Sequence, residues 1–330
     1  EEIVGRHGIE FIGIPAGKLR RYLSLRNIAD VGRVIAGIFR SYWLVGRLRP
    51  ALVFSKGGFV TVPPVIAARL RGIPVVTHES DANPGLATRI NARFAARVLV
   101  PYPTTASFFP ARFANRLVVT GNPIRGDLSE GKRSRGLEIA GFSGDDARPI
   151  VLFLGGSQGA QQINELVVSL MPDLLDTWRV VHQTGDPRKT DSAGILAGHD
   201  WVDTASYFSA PFFHEELPHL MAAADLVVCR AGAGTLWEVA ALGKPMQLVP
   251  LVAGSRGDQI ANARQFESVG GARVFTAPAT LARDVAASLR ELAQDAAERR
   301  AMGQNAHRLI HIDATTRIVA ILEELLASRE

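Results

Sequence analysis

The stretch P-I-V-L-F-L-G-G-S-Q-G-A-Q-Q-I-N, residues 149–164, is an apolar strand that runs into a glycine-rich turn and then into the polar start of a helix. The pattern returns as A-D-L-V-V-C-R-A-G-A-G-T-L-W-E at residues 224–238. Glycines let a backbone approach a ligand closely, and the first N–H groups of a helix point at bound anions. Two such turns in one half of a chain suggest a nucleotide diphosphate held from two sides. The first turn is not a Walker loop, because no G-K-[ST] follows it.

Outward from residues 149–164, strands at Ile150–Leu154, Arg179–Gln183, Leu226–Cys229 and 246–250 alternate with helical patterns near 160–170, 215–224, 235–242 and 259–269. The first half has the same grammar. Apolar runs at 9–14 and 51–55, a helix-like 63–70 and strands at 74–78 and 97–101 surround a long basic stretch at 19–48. This alternation predicts an α/β protein with parallel sheets and crossover helices. The expected organisation is a first domain over 1–130, a linker over 131–148 rich in charge, Gly and Ser, and a second domain over 149–311. A terminal helix over about 312–330 is expected to pack back on the first domain. Two Rossmann-like, doubly wound domains facing a cleft follow naturally, since ligands in such sheets sit at the carboxyl ends of the strands.

At 330 residues and 47% hydrophobic content the chain can bury a large core. Its single cysteine, Cys229, excludes a disulfide within the chain and leaves too few thiols for a zinc or iron–sulfur site, which fits a reducing, cytosolic setting. A formal charge of +5 and a pI near 9.7 favour anionic partners: nucleic acid, anionic lipid or a phosphorylated substrate. Nucleic acid ranks last, because the basic residues cluster with apolar ones and no recognition module is visible. No apolar run reaches the ~20 residues that span a bilayer, and no signal peptide is visible. The sequence begins with Glu1 rather than Met, so an upstream segment is expected.

Within the first turn, Gly155 and Gly156 permit a tight bend, Ser157 and Gln158 offer side-chain hydrogen bonds, and Gly159 lets the helix pack close to the strand; an ordinary strand–helix turn competes evenly with this reading. In the second, Glu238 is placed to reach a sugar hydroxyl pair, against the alternative of a capping box with Thr235. The segment S-R-G-D-Q-I-A-N-A, 255–263, offers Asp258 and Gln259 to sugar hydroxyls, against a helix N-cap by Asp258. H-E-S-D, 78–81, offers Glu79 and Asp81 as a general base or as polyhydroxyl contacts, although such a His–Glu pair is more often structural. Arg125, in G-N-P-I-R at 121–125, is suited to neutralise a diphosphate, or is a surface arginine on a turn. In the basic stretch, Arg20, Arg21 and Arg26 beside Leu19 and Leu23 suit an anionic membrane surface, while much of the stretch is expected to form crossover helices. With no D-x-D motif, neither a metal nor another cofactor is expected.

The ordered set H-E-S-D-A-N-P-G-L, G-N-P-I-R, G-G-S-Q-G-A, C-R-A-G-A-G-T-L-W-E and G-D-Q-I-A-N-A resembles the MurG family of N-acetylglucosaminyltransferases across essentially the whole chain. The resemblance implies a GT-B fold and inverting transfer of N-acetylglucosamine from UDP-N-acetylglucosamine to lipid I, a polyprenyl-diphosphate-linked muramyl peptide. The product would be lipid II, for peptidoglycan synthesis, made at the cytoplasmic face of the membrane by a peripheral enzyme. It implies that Arg125, Gly156, Ser157, Gln158, Gly159 and the turn carrying Ala233, Gly234, Thr235, Leu236 and Glu238 hold the UDP portion, with Glu238 on the ribose. Asp258 and Gln259 would contact the sugar, Asp81 would serve the donor, and the backbone near His214 would read uracil. Gly57, Gly58 and Phe59, with His78, would form the acceptor side.

Three departures bear on these expectations. The family opens with a strand and a G-G-T-G-G-H loop whose histidine is a candidate base, and neither is present. Glu79 is then the remaining base candidate, and the 330-residue chain is expected to be poorly stable and nearly inactive beside a version extended at its amino terminus. Ser80–Asp81 stands where many members carry Q-N, and Asp258 replaces a more usual glutamine. The rival readings are a GT-B transferase with another lipid acceptor, a non-catalytic UDP-sugar-binding module, and a UDP-sugar epimerase of similar fold.

Overall fold

The computed structural model describes the backbone of residues 4–5, 8–15, 25–155, 161–171, 173–188, 191–252 and 257–328. The chain forms two compact units, Glu1–Gly121 with Thr316–Glu330, and Asn122–Thr315.

The first unit is built on four parallel strands, β1 (Val53–Ser55), β2 (Val75–His78), β3 (Arg97–Val100) and β4 (Leu117–Val119), adjacent in that order. Alternation along a strand sends neighbouring residues to opposite faces. Val75, Val98 and Val100 accordingly join Val65, Ala68, Ala92, Phe109 and Phe113 in one layer. Val76 and Leu99 meet Ile318 on the other face, with Leu322 and Leu325 of helix Ala314–Ala327 packed alongside. Helix Leu25–Leu48 lies against helix Val62–Leu70 and comes so close at Gly37 that a Cβ there would sit within 3.3 Å of the Pro63 ring. The apolar run at 9–14 is not a strand: it is irregular, and Ile9 and Phe11 are exposed. Its alternating Ile and Phe supply β propensity, but none of the four strands takes it as a ladder partner.

The second unit holds six parallel strands, β5 (Ile150–Leu154), β6 (Arg179–Gln183), β7 (Tyr207–Ala210), β8 (Leu226–Cys229), β9 (Met246–Leu248) and β10 (Ala272–Val274), in the order β10-β9-β8-β5-β6-β7. β5 is buried at every residue, as a central parallel strand covered on both faces must be. From β5 the chain winds outward through β6 and β7, then returns to β8 on the other side of β5 and winds outward again. The winding therefore reverses between β5 and β8, and ligands of open α/β sheets bind at such a point, outside the strand carboxyl ends. Trp178 and Phe153 are fully buried beside this sheet, and the Trp178 Nε1–H donates to the Leu289 carbonyl at 3.1 Å. The segment 131–148, expected as a linker, lies within this unit and contains helix Arg133–Ala140. That helix packs on helix Leu217–Ala223 through Gly136, and the chain divides at 121/122 instead. Its charge-rich composition is that of a surface helix whose inner face is Gly136 and Ala140.

Candidate active site

Leu154 of β5 pairs in register with Cys229 of β8, so Gly155 and Arg230 leave the sheet side by side at the reversal point. Gly155 is buried at the end of β5; Gly156, Ser157, Gln158 and Gly159 lie outside the described residues. After β8, Gly232 is the N-cap of helix Ala233–Ala241, with no side-chain cap. The first backbone bond of that helix runs from the Leu236 N–H to the Gly232 carbonyl at 3.1 Å. The N–H groups of Ala233, Gly234 and Thr235 thus precede the helical ladder and carry its positive dipole end. Among the described residues no heavy atom lies within 4 Å of a Cβ built at Gly232 or Gly234. Packing does not demand glycine at either place, which leaves room beside the backbone for a ligand.

Glu238 follows on the same helix, 19% exposed, with Oε1 3.3 Å from Nε of Arg125. Arg125 also lies 3.7 Å from Asp127. Burial raises the Glu238 pKa above the usual carboxylate value, Arg125 opposes this and Asp127 adds to it. The capping-box alternative fails, because the N-cap is Gly232 and the carboxylate faces an arginine. Two groups chosen separately, one for a diphosphate and one for a ribose, are neighbours, as the adjacent parts of a nucleotide require.

Asp258 opens helix Asp258–Ser268, but the cap residue is Gly257 at φ 80, so the N-cap alternative for Asp258 also fails. The Gln259 Oε1 accepts from the Leu251 N–H at 2.8 Å, which fastens the segment just after β9 to this helix. His214 is exposed beside Phe212; its backbone N–H donates to the Glu216 carboxylate at 2.9 Å.

Three contributors were not singled out from the sequence. Arg230, one residue past β8, has a buried Nη1 without a hydrogen-bond partner, and burial lowers its pKa. Asn262 donates to the Ala231 carbonyl at 3.2 Å and so ties helix Asp258–Ser268 to the turn after β8; it is the Asn of D-Q-I-A-N-A, four residues after Asp258 and hence on the same helix face. Asn164, in the first turn of helix Gln161–Leu170, donates to the Thr184 carbonyl at 2.9 Å, and its Oδ1 accepts from His182 Nε2 at 3.0 Å. That fixes the His182 tautomer, leaving Nδ1 to accept from the Tyr207 hydroxyl at 2.9 Å. Full burial pushes the His182 pKa down to about 3.

The residues of H-E-S-D lie in the first unit at the carboxyl end of β2, Asp81 among them. The Glu79 carboxylate accepts from three backbone N–H groups, Ser80 at 2.8 Å, Asp81 at 3.0 Å and Gly85 at 3.0 Å. These bonds make Glu79, the general-base candidate, the group that shapes the turn 80–85. His78 is buried, and its Nε2 lies 2.9 Å from the Gly121 carbonyl, which can only accept. Nδ1 is therefore the acceptor, and Lys56 Nζ donates to it at 2.9 Å and to Ser80 Oγ at 3.2 Å. Burial, and then the Lys56 charge, hold the His78 pKa at about 4. Gly57 and Gly58 follow Lys56 at φ 78 and 81, the left-handed region that favours glycine, and Phe59 is exposed. Arg20 and Arg21 lie outside the described residues; Arg26 lies on helix Leu25–Leu48, its side chain outside the described part.

Residues 150–318 match the glycosyltransferase family 28 C-terminal domain and residues 1–100 its N-terminal domain. A UDP-N-acetylglucosamine–N-acetylmuramyl-(pentapeptide) pyrophosphoryl-undecaprenol N-acetylglucosamine transferase of Treponema pallidum is 48% identical over 282 residues, 83% of this chain and 71% of that protein. Among solved structures, MurG of Acinetobacter baumannii superposes with a TM-score of 0.72 at 24% identity, covering 98% of this chain and 87% of that one. A UDP-GlcNAc 2-epimerase of Neisseria meningitidis bound to UDP-GlcNAc gives 0.64 at 15% identity, covering 98% and 88%. The two structures share the GT-B arrangement of two parallel-sheet α/β domains, and the sequence match is what separates transferase from epimerase: with the glycosyltransferase family 28 domains spanning most of its length, this chain belongs to that family.

Proposed function

We propose that this protein transfers N-acetylglucosamine from UDP-N-acetylglucosamine to lipid I with inversion, giving lipid II for peptidoglycan synthesis. The observation that carries the donor side is the Arg125–Glu238 pair beside the open amino end of helix Ala233–Ala241, at the reversal point of the second sheet. A hydroxyl of the muramyl sugar attacks the anomeric carbon, the bond from that carbon to the diphosphate oxygen breaks, and UDP departs. The leaving diphosphate gains negative charge, which Arg125 and the N–H groups of Ala233, Gly234 and Thr235 are placed to stabilise without reorganising. Glu238 accepts from the ribose hydroxyls, and Asp258 and Gln259 serve the sugar. Asp81 serves the donor, and the residues around Gly57, Gly58, Phe59 and His78 serve the acceptor side.

The acceptor is a membrane lipid, and the first unit carries a surface suited to meeting one. Helix Leu25–Leu48 exposes Ile35, Phe39 (72%), Tyr42 and Trp43 (52%), and the Arg40 and Arg47 guanidinium groups lie 5.6 and 5.5 Å from the Trp43 ring. Aromatics flanked by arginines suit the boundary between headgroups and acyl chains. No helix among the described residues is long and apolar enough to cross a membrane. The reading is therefore peripheral attachment to an anionic, cytoplasm-facing membrane surface.

The test is UDP release from UDP-N-acetylglucosamine with and without a short-chain lipid I analogue. Release that depends on the analogue, with a disaccharide-linked product, is the expected result. Release without acceptor would point to the epimerase-like chemistry, and transfer to a diacylglycerol in preference to lipid I would overturn the acceptor.

A further inference from the structure

We infer that Asn91 is a positioning residue of the acceptor side: it clasps the two ends of the glycine turn 56–58 and fixes the shape in which that turn meets the acceptor. The inference rests on the acceptor side proposed above and adds to it a residue that touches no substrate.

Gly57 and Gly58 stand at φ 78 and 81. Two successive residues without a Cβ have the widest choice of backbone conformations, so a turn made of them keeps one shape only if something outside it holds that shape. The turn is flanked by Ser55, the last residue of β1, and by Thr61, the last of the helical run Phe59–Thr61. Asn91, fully buried, closes helix Leu86–Asn91. Its Nδ2 donates to Ser55 Oγ at 3.2 Å and to Thr61 Oγ1 at 2.8 Å, so one amide bridges the two sides of the turn. Both hydroxyls pass the hold on to the glycines. Ser55 Oγ accepts from the Gly57 N–H at 3.3 Å, and the Thr61 hydroxyl donates to the Gly58 carbonyl at 2.8 Å. Thr88, three residues before Asn91 and so on the same helix face, closes the space beside Gly57: a Cβ there would lie 3.1 Å from the Thr88 Oγ1.

The chain of bonds fixes which way the amide points. Thr61 has one hydroxyl proton, and it goes to a carbonyl, which can only accept; the Asn91 atom facing Thr61 is therefore the nitrogen. Asn91 Oδ1 is left buried, with no hydrogen-bond partner among the described residues. A buried acceptor without a donor costs stability, and a leucine, with the same branching, would fill the place without that cost. Stability alone therefore does not account for an asparagine here; the two N–H groups that reach across the turn do.

The test is steady-state kinetics with UDP-N-acetylglucosamine and a short-chain lipid I analogue on the wild type, Asn91→Leu, Thr61→Val and the double variant, with hydrogen exchange and thermal unfolding of the same proteins. Small displacements of a positioning element cost much of its fit, so KM for the analogue is expected to rise by about tenfold in Asn91→Leu. KM for the sugar nucleotide should stay unchanged and the melting temperature equal or higher. Thr61→Val breaks the same chain of bonds, so the double variant is expected to be little worse than either single one. Exchange at the amides of 56–58 is expected to quicken in each variant while the sheet keeps its protection. An analogue KM within twofold of the wild type in Asn91→Leu, or unchanged exchange at the turn, overturns the inference. So does an equal rise in both KM values, which marks a merely structural role. Should Asn91→Leu fail to fold, Thr61→Val is read by the same criteria. Absence of lipid I turnover in a wild type whose turn still loosens in Asn91→Leu would count against the proposed reaction and leave the clasp standing.

Discussion

Glu238 is partly buried and His182 fully buried, and their neighbours decide what each ionisable group does. The Glu238 carboxyl lies against Arg125 and is made harder to ionise by burial, so its negative charge costs stability that a ribose hydroxyl pair would return. Glu238→Gln is accordingly expected to weaken UDP binding by about tenfold, ~1.4 kcal/mol, while leaving the melting temperature equal or slightly raised; calorimetric titration and thermal unfolding of the same variant measure both. Arg125 is largely exposed, and losing its partner there matters little for folding. Among the described residues His182 has no acidic partner, and it must stay neutral between Asn164 and Tyr207. Its folded pKa of about 3 lies below the ordinary 6.5, so the unfolded chain binds the extra proton between these values. Stability is then full above pH 6.5 and falls as pH drops toward 3, by up to about 1.4 kcal/mol per pH unit from this group. Urea midpoints measured from pH 7 to 4 should fall less steeply in His182→Gln than in the wild type, and equal slopes would remove His182 from the account.

At the scale of elements, glycines decide which surfaces touch. A Cβ at Gly136 would collide with the His219 carbonyl oxygen and lie 2.8 Å from the Ala223 Cβ, so helices Arg133–Ala140 and Leu217–Ala223 pack backbone to backbone. Alanine would raise helix propensity by about 1 kcal/mol, but overpacking costs about 1–3 kcal/mol, and the crowding oxygen belongs to the backbone and cannot swing aside. Gly136→Ala is therefore expected to destabilise the protein, whereas Gly144→Ala, with open space around it, should change the urea midpoint little. Gly232 is the opposite case: among the described residues a Cβ there meets no atom within 4 Å, so Gly232→Ala should lower UDP affinity while stability holds. Sequence patterning found the elements that are buried on both faces, β5, β6 and β8, because continuous apolar runs announce them. It missed β4, β7 and β10, which are edge strands of three or four residues with only partial burial. An edge strand covered on one side needs few apolar residues, so little in the sequence marks it.

At the scale of the molecule, the candidate donor residues could be picked out because they sit in short motifs at strand ends, and the groups that escaped were long-range partners. Asn262 reaching Ala231, and Lys56 reaching His78, join residues 31 and 22 positions apart, and only the sheet order brings them together. The surface of helix Leu25–Leu48 lies between these cases: its basic and aromatic content was visible, but which side chains face outward was not. Leu44 and Val45 turn inward, while Phe39 and Trp43 stay in water with Arg40 and Arg47 against the Trp43 ring. Large apolar groups left in water gain by burial, and each contributes about 1.5–3 kcal/mol when fully transferred; the arginines add attraction that falls with salt. Phe39→Glu with Trp43→Glu should therefore reduce sedimentation with phosphatidylglycerol vesicles by at least about tenfold, and the remaining binding should be lost in high salt. UDP affinity, proposed above for the second unit, should be unchanged in the same variant. Vesicle binding unaffected by the double substitution would mean that another surface meets the lipid, and the peripheral attachment would have to be sought away from this helix.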